Sequence, residues 1–172
     1  MLKLSASLVN KPVLSLRTGA PVATAYAPLI NPDNLKIEGL FCSDSFNNSS
    51  LILLYQDIRE FSAKGYVIND HDVLSEPGEL VRLKGVIDLN YELLGKQVVT
   101  TSKDKVGKIS DYAVDIETMY IQKLYVAQSV LKSFTGGSLS IDRSQIHEVT
   151  DTRVIINDLA KRAPITAPVA AA

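Results

Sequence analysis

The stretch LVNKPV at residues 8–13 recurs in altered form as LLGKQV at residues 93–98. Two later stretches recur in the same order, namely LKIEGLF at 35–41 as MYIQKLY at 119–125, and VIND at 67–70 as IIND at 155–158. The offset between partners is 85 residues at the first pair, 84 at the second and 88 at the third. Three segments that keep their order at a nearly constant offset indicate a duplicated unit.

The duplication predicts two small homologous domains with a linker between them. We place the first copy at residues 1–74, the linker at 75–92 and the second copy at 93–159. Residues 160–172 are rich in alanine and proline, and we expect them to form a flexible tail. Domains of this size bury only about 60% of the surface that the unfolded chain exposes. Each copy therefore gains stability by packing on the other.

Short runs of β-forming residues between turn signals fill both copies and predict a mainly β protein. The predicted strands of the first copy are Pro12–Leu16, Val22–Ile30, Leu35–Cys42, Leu51–Tyr55 and Gly65–Asn69. Those of the second copy are Gln97–Thr101, Val106–Asp115, Met119–Val126, Ser138–Asp142 and Arg153–Asn157.

Apolar residues three apart interrupt the even spacing that a strand with one buried face requires. Ile37 and Leu40 are one such pair, and Ile121 and Leu124 are the matching pair in the second copy. They predict either a β-bulge near Gly39 and its counterpart or burial of both strand faces.

Helical spacing is confined to short segments. The spacing of three at 58–61 and at 146–149 predicts a single helical turn between strands. In the linker, apolar residues spaced three and four apart predict an amphipathic helix over 77–89, with Pro77 in its first turn. We expect this helix to pack between the two copies because one of its faces is apolar.

The pattern L-x-G-K-x-V-x-T at 93–100, a following turn with Gly107, a long strand pair and a closing isoleucine-rich strand resemble the PRC-barrel family. The first copy departs from it at Asn10, which stands where the second copy has Gly95. The resemblance implies two small tandem PRC-type β-barrels joined by a short amphipathic helix. It also implies a protein-docking or assembly role, because that family has no catalytic motif.

Composition narrows the class of protein. The chain has 172 residues, a net charge of −1 and a single cysteine. A lone cysteine excludes an internal disulfide, and a cytoplasmic protein is the expectation. The near-neutral charge gives no electrostatic argument for a dedicated nucleic-acid binder. The longest apolar runs are far short of the roughly 20 residues that span a bilayer.

Candidate chemical groups are few. The triplet Asp70-His71-Asp72 is either a metal-binding cluster or the end of a strand with a turn-capping aspartate. The second interpretation is favoured because the aspartate recurs as Asp158 without a histidine after it. Cys42 has no histidine pattern around it and is expected to be a small buried side chain. We expect no catalytic residue, no bound metal and no cofactor.

One basic cluster and one aromatic residue are the candidate contact sites. The cluster is either an anion-binding surface or a solvated hairpin in which Asp104 lies between the lysines. The aromatic residues are mostly core candidates, and Phe134 is the best candidate among them for an exposed anchor, since aromatic residues are enriched at interface hot spots. The basic candidates are Lys96, Lys103, Lys105, Lys108 and Lys132.

These observations predict a non-catalytic scaffold or adaptor that binds a protein of unknown identity in a macromolecular assembly. The family resemblance leaves two alternatives open: a ribosome-maturation or RNA-associated factor, and an accessory subunit of a membrane or photosynthetic complex. An enzyme is the least favoured class. The sequence leaves the oligomeric state undecided.

Overall fold

The computed structural model describes residues 1–128 and 138–158, which form thirteen strands and one α-helix with 3-10 turns between them. The strands are β1 (Leu2–Leu4), β2 (Lys11–Ser15), β3 (Pro21–Asn31), β4 (Lys36–Asp44), β5 (Ser50–Leu54), β6 (Glu60–Ser62), β7 (Gly65–Ile68), β8 (Gln97–Thr100), β9 (Lys105–Asp115), β10 (Ile121–Ala127), β11 (Ser138–Asp142), β12 (Ile146–Val149) and β13 (Arg153–Ile156). The helix α1 is Lys84–Leu89, and the 3-10 turns are Ser5–Ser7, Tyr55–Asp57, His71–Val73, Pro77–Glu79, Val81–Leu83 and Arg143–Gln145. The expectation of a mainly β protein is confirmed.

The two copies build sheets with the same strand order. The first sheet runs β5-β4-β3-β2-β7-β6 and the second runs β11-β10-β9-β8-β13-β12. In each sheet four strands form an antiparallel meander, and a final hairpin returns to lie parallel to the first strand of the meander. The sequence repeats only in three short segments, but the repeated order of six strands shows that the duplication includes the whole sheet of each copy.

All ten predicted strands are present, with ends within two residues of the prediction. The predicted irregularity is a β-bulge in both copies. In the first sheet Leu29 pairs with Gly39 and Ile30 with Ile37, so Glu38 is the extra residue. The second sheet has the same register shift between Ile121 and Lys123. The bulge turns residues on both sides of it toward the core, which explains the apolar spacing of three.

The helical turns predicted at 58–61 and 146–149 are wrong in position. In each copy a 3-10 turn precedes that segment, at 55–57 and at 143–145, and the segment itself contains strand β6 or β12. Three or four residues of strand are too few to show a period of two. In the second copy a register shift between Ile146 and Glu148 lies within the spacing of three, so the spacing there belongs to an irregular strand rather than to a helix.

The predicted closed barrels are not found among the described residues. β5 and β6 end the first sheet, β11 and β12 end the second, and neither pair is joined by hydrogen bonds. In the first copy the free edge of β5 is instead bonded to one residue of the following chain, since Ile52 and Ser75 form an isolated antiparallel bridge. The edge strand β6 has three residues and is too short to reach β5 and close the first sheet.

The predicted linker helix starts at Pro77 as expected, but its first two turns are 3-10 and only Lys84–Leu89 is α-helical. None of the α1 residues is fully buried, and the helix contacts β3 of the first sheet. It does not lie between two barrels, so that expectation is wrong. Gly85 in the middle of so short a helix weakens it, which fits its small size.

The two copies meet through matching backbone segments. The amide of Ile37 donates to the carbonyl of Met119 at 2.8 Å, and the amide of Ile121 donates to the carbonyl of Leu35 at 2.9 Å. Leu35 and Met119 are equivalent positions, as are Ile37 and Ile121. The exchange is therefore reciprocal, and a local pseudo-two-fold axis passes between the copies.

The pairing at this axis brings Lys36 opposite its own equivalent, Tyr120, in an isolated antiparallel bridge. Lys36 Nζ lies 3.9 Å from the ring centre of Tyr55 and 5.6 Å from that of Tyr120. On the other side, the guanidinium of Arg143 lies 4.8 Å from the Tyr120 ring. Tyr55 and Arg143 are also equivalent, so cation and ring have exchanged places between the copies.

The apolar cores are not separate. Four residues of the first copy, Leu8, Ile30, Leu35 and Ile37, belong to the same buried cluster as the core of the second sheet. In addition, β1 pairs with β9 of the second sheet, with Lys3 opposite Val114. The two copies are thus joined by backbone pairing and by shared burial.

Candidate functional site

The predicted basic cluster is divided by the structure. Lys103, Lys105 and Lys108 are exposed on the hairpin of β8 and β9. Lys103 has a φ of 70°, and the equivalent residue of the first copy is Gly19 at 71°, so this position belongs to a left-handed turn. Lys132 and Phe134 lie outside the described residues.

Lys96, the fifth predicted basic contact, serves the fold instead. Its side chain is half-buried, and its ammonium donates to the backbone carbonyl of Asp151. The same ammonium lies 4.7 Å from the ring centre of Tyr91. A cation held by a carbonyl and an aromatic face is partly satisfied already, so Lys96 is a weak candidate for binding an external anion.

The aspartates at the strand ends are caps, as the sequence predicted. Ser15 Oγ donates to Asp70 Oδ1 at 2.8 Å, and the carboxylate also pairs with Arg17. The equivalent Asp158 accepts the Ser102 amide at 3.1 Å in the second copy. In each sheet the second residue after the last strand in sequence thereby ties down the turn that follows its parallel neighbour.

His71 has a partner that the sequence did not reveal. Its Nε2 lies 3.1 Å from Oδ1 of the buried Asp44, and its ring meets the edge of Phe46 at a centroid distance of 5.1 Å. The hydrogen bond from the Phe46 amide, together with that from His71, lowers the pKa of Asp44. No group of three or more metal-ligating side chains occurs in the described parts of the chain.

Cys42 lies in the core of the first sheet, beside Leu40 and Leu53. Burial raises the pKa of its thiol to about 12, so the thiol stays protonated at neutral pH. A protonated, fully covered thiol is a poor nucleophile, and the expectation of a small buried side chain is confirmed.

A concave groove lies between the linker and the first sheet, at the point where both meet β9 of the second sheet. Its volume is about 600 Å³, which lies within the usual range of roughly 300–1,000 Å³ for ligand pockets. We call it the linker groove. The lining residues are Val9, Tyr26, Ala27, Pro28, Ile30, Phe41, Ser50, Ile87, Asn90, Tyr91, Glu92, Leu93, Leu94 and Tyr112.

Aromatic rings form much of the linker groove. Tyr26 stacks on Phe41 with 6.2 Å between ring centres, and Tyr26 is 46% exposed. Tyr91 is buried, donates its hydroxyl to the carbonyl of Thr150 at 3.1 Å, and has its pKa raised to about 12 by burial. The groove therefore combines an exposed ring platform with fixed walls.

The linker supplies the other wall. Ile87 of α1 lines the groove, and so does Leu94, which is 45% exposed and lies just beyond the linker at the start of the second copy. Glu92 is the one charged residue among those that line the groove. The amphipathic pattern of the linker was the available signal, since it predicted an apolar helix face. Tyr26 gave no such signal because it is a single exposed aromatic residue within a mostly apolar strand.

Comparison with known proteins does not identify a family: no family model matches this chain, and no curated protein matches it. The PRC-barrel resemblance therefore stays a prediction from the sequence pattern. No helix in residues 1–128 and 138–158 has the length and apolar character needed to cross a membrane.

Proposed function

We propose that this chain is a non-catalytic tandem PRC-type protein that docks a partner protein during macromolecular assembly. The observation that carries the proposal is the linker groove, where Tyr26 offers an exposed ring stacked on a supported one. Exposed aromatic residues at the centre of a concave apolar site are the usual hot spots of protein interfaces. The sequence pattern at 93–100 supports the PRC-type assignment, and the shared strand order of the copies supports the tandem duplication.

The proposed occupant is an apolar or aromatic side chain of a protein partner, with a basic group beside it. The apolar side chain would fill the groove and cover Tyr26 and Phe41, which removes apolar surface from water. The basic group would lie toward Glu92, the charged residue in the lining. Because the walls come from both copies and the linker, the groove requires the complete duplicated chain.

Affinity capture from extract of the native host tests this function. The bait is the full chain, compared with a Tyr26→Ser variant, which carries the residue found at the equivalent position Ser110. The matched control is Phe46→Ser, which removes an aromatic side chain that is 74% exposed and does not line the groove. We expect Tyr26→Ser to reduce affinity for the captured partner about tenfold or more.

Loss of the partner in both variants, or in neither, would contradict docking at the linker groove. The alternative RNA-associated function predicts a different outcome, with nuclease-sensitive capture that weakens steeply with salt. In that case a Lys103→Ala/Lys108→Ala variant would lose binding and Tyr26→Ser would keep it. Flotation with anionic vesicles, lost in the same lysine variant, would favour the accessory membrane function.

A further inference from the structure

In the first copy the outer edge of β5 is covered by the chain that follows the last strand. Ile52 donates its amide to the carbonyl of Ser75 at 2.8 Å and accepts the Ser75 amide at 3.0 Å. Leu74, next to Ser75, is buried in the same core as Leu51 and Leu53. A short extended segment therefore both pairs with the edge and adds one apolar side chain to the core.

The equivalent strand of the second copy is β11. Leu40 pairs with Leu53 in the first sheet, and Leu124 pairs with Ile141 in the second, so Ser140 corresponds to Ile52. Within the described residues β11 pairs with β10 alone and ends the sheet. Ser140 is exposed where Ile52 is fully buried.

The core side of β11 is also less covered than its counterpart. Leu51 is 6% exposed, whereas the equivalent Leu139 is only half-buried. Leu139 should be more exposed than Leu51 if the second copy lacks the apolar side chain that Leu74 supplies to the first, and it is. The strand itself is SLSID, with neither lysine nor proline, the residues that usually protect an exposed edge from pairing.

The chain's own sequence does not repeat the covering segment. Counting from the equivalent caps Asp70 and Asp158, the positions of Val73 and Leu74 are taken by Lys161 and Arg162. Placing two cations where two apolar side chains belong costs far more than it gains. At these two positions the second copy therefore does not offer the apolar pair that accompanies the covering segment of β5.

We infer that the edge of β11 at Ser140 binds an extended segment of a partner protein by strand addition. Backbone groups of Ser140 would bond to the segment as those of Ile52 bond to Ser75, and an apolar side chain would enter the core as Leu74 does. The inference rests on the proposed docking function and adds a second contact to it. The first copy shows what the complementary segment looks like: an apolar residue followed by a small one.

A synthetic peptide with the sequence of residues 70–80, DHDVLSEPGEL, is the probe, titrated into the full-length protein labelled with ¹⁵N. We expect the amide signals of Leu139, Ser140 and Ile141 to shift and those of Ile52 and Leu53 to stay unchanged. A peptide carrying Leu74→Arg, which matches the residue at 162, is expected to bind about tenfold more weakly or worse.

A Ser140→Pro variant removes the amide that pairs with the segment and is expected to weaken the peptide about tenfold, while Ser140→Ala keeps the amide and the affinity. If the proline variant does not fold, hydrogen exchange of the Ser140 amide in the wild-type protein shows whether the peptide pairs with β11. The amide should exchange rapidly alone and slow down with peptide.

Slow exchange of the Ser140 amide without peptide would overturn the inference. If this protection is independent of protein concentration, the chain covers its own edge, and if it grows with concentration, a second copy does. Equal binding of both peptides would also overturn it. These results leave the docking function standing if Tyr26→Ser still reduces affinity for the captured partner, so the two failures are distinguishable.

Discussion

Single residues at close backbone contacts carry much of this fold. The family pattern put Gly107 in a turn, whereas the predicted strand Val106–Asp115 included it, and the structure places it within β9, close to the backbone of Ala127. A Cβ at Gly107 would lie 2.1 Å from the carbonyl oxygen of Ala127. The glycine is therefore required by close packing of two strands, which the sequence alone does not distinguish from a turn.

Gly107→Ala should lower the free energy of unfolding by about 3 kcal/mol, because the added methyl group pushes β9 and β10 apart. Urea unfolding followed by circular dichroism measures the change. Gly78→Ala is the matched control, since a Cβ there meets no atom within 4 Å. Equal stability of the two variants would mean that β9 and β10 do not approach each other closely at Gly107 in solution.

The capping aspartates make stability depend on pH. Hydrogen bonds from the Ser102 side chain and amide lower the pKa of Asp158 in the folded state. A carboxyl group with a lowered folded pKa stabilises the protein above its unfolded pKa of about 4, and this contribution is lost as the pH falls through the folded pKa.

Asp158→Asn should therefore lower the melting temperature at pH 7 and reduce its fall between about pH 5 and pH 2. Melting curves of wild type and variant across that range give the comparison. Asp33→Asn, an exposed carboxylate in another turn, is the control and should leave the profile of the wild type. A profile unchanged by Asp158→Asn would show that the cap is not formed in solution.

At the scale of elements, the sequence located the long strands because their apolar residues recur in both copies. It missed β1, β6 and β12, which have three or four residues each and show no period. The linker groove was missed for a different reason, because it forms only where the linker, β3 and β9 come together. The sequence around Tyr26 or Leu94 does not predict that contact.

Strand β10, which lies next to the edge strand β11, provides the energetic test at the scale of elements. Ile121→Ala removes a fully buried side chain and should cost about 2–5 kcal/mol. Val81→Ala, at a position that is 79% exposed in the linker, should change the free energy of unfolding by less than about 0.5 kcal/mol. Chemical denaturation of both variants measures the difference. An unchanged midpoint for Ile121→Ala would refute the core position of β10.

At the scale of the whole molecule, the duplication was readable but the way the copies join was not. The sequence predicted a helix between two closed barrels. The structure instead joins two open sheets through backbone pairing at Leu35 and Met119 and through a shared core. Such pairing depends on backbone groups that every residue has, so no residue pattern marks it.

Arg143 is the side chain that fixes this junction. Its guanidinium donates to the carbonyl of Asn34 at 2.5 Å and to that of Ile121 at 3.2 Å, so it joins the two copies. Arg143→Ala should lower the free energy of unfolding by about 1.5–3 kcal/mol, and Arg143→Lys should not restore it, because an ammonium lacks the planar fork of donors.

Urea unfolding of these variants, with Arg82→Ala in the exposed linker as control, provides the measurement. Full recovery by lysine would mean that charge alone, rather than the placement of the donors, holds the junction. A loss of the same size in Arg82→Ala would mean that Arg143 has no special part in it.

The exchange of lysine and tyrosine across the axis affects whether one copy can pair with an identical copy from another molecule. A symmetric pair of identical chains with lysine at position 36 would set two ammonium groups face to face. In this chain the first copy has the cation Lys36 where the second has the ring of Tyr120, and the flanking pair is reversed, with Tyr55 in the first copy and Arg143 in the second. Each copy therefore pairs better with the other copy of its own chain than with an identical copy. This complementarity disfavours domain swapping between neighbouring molecules.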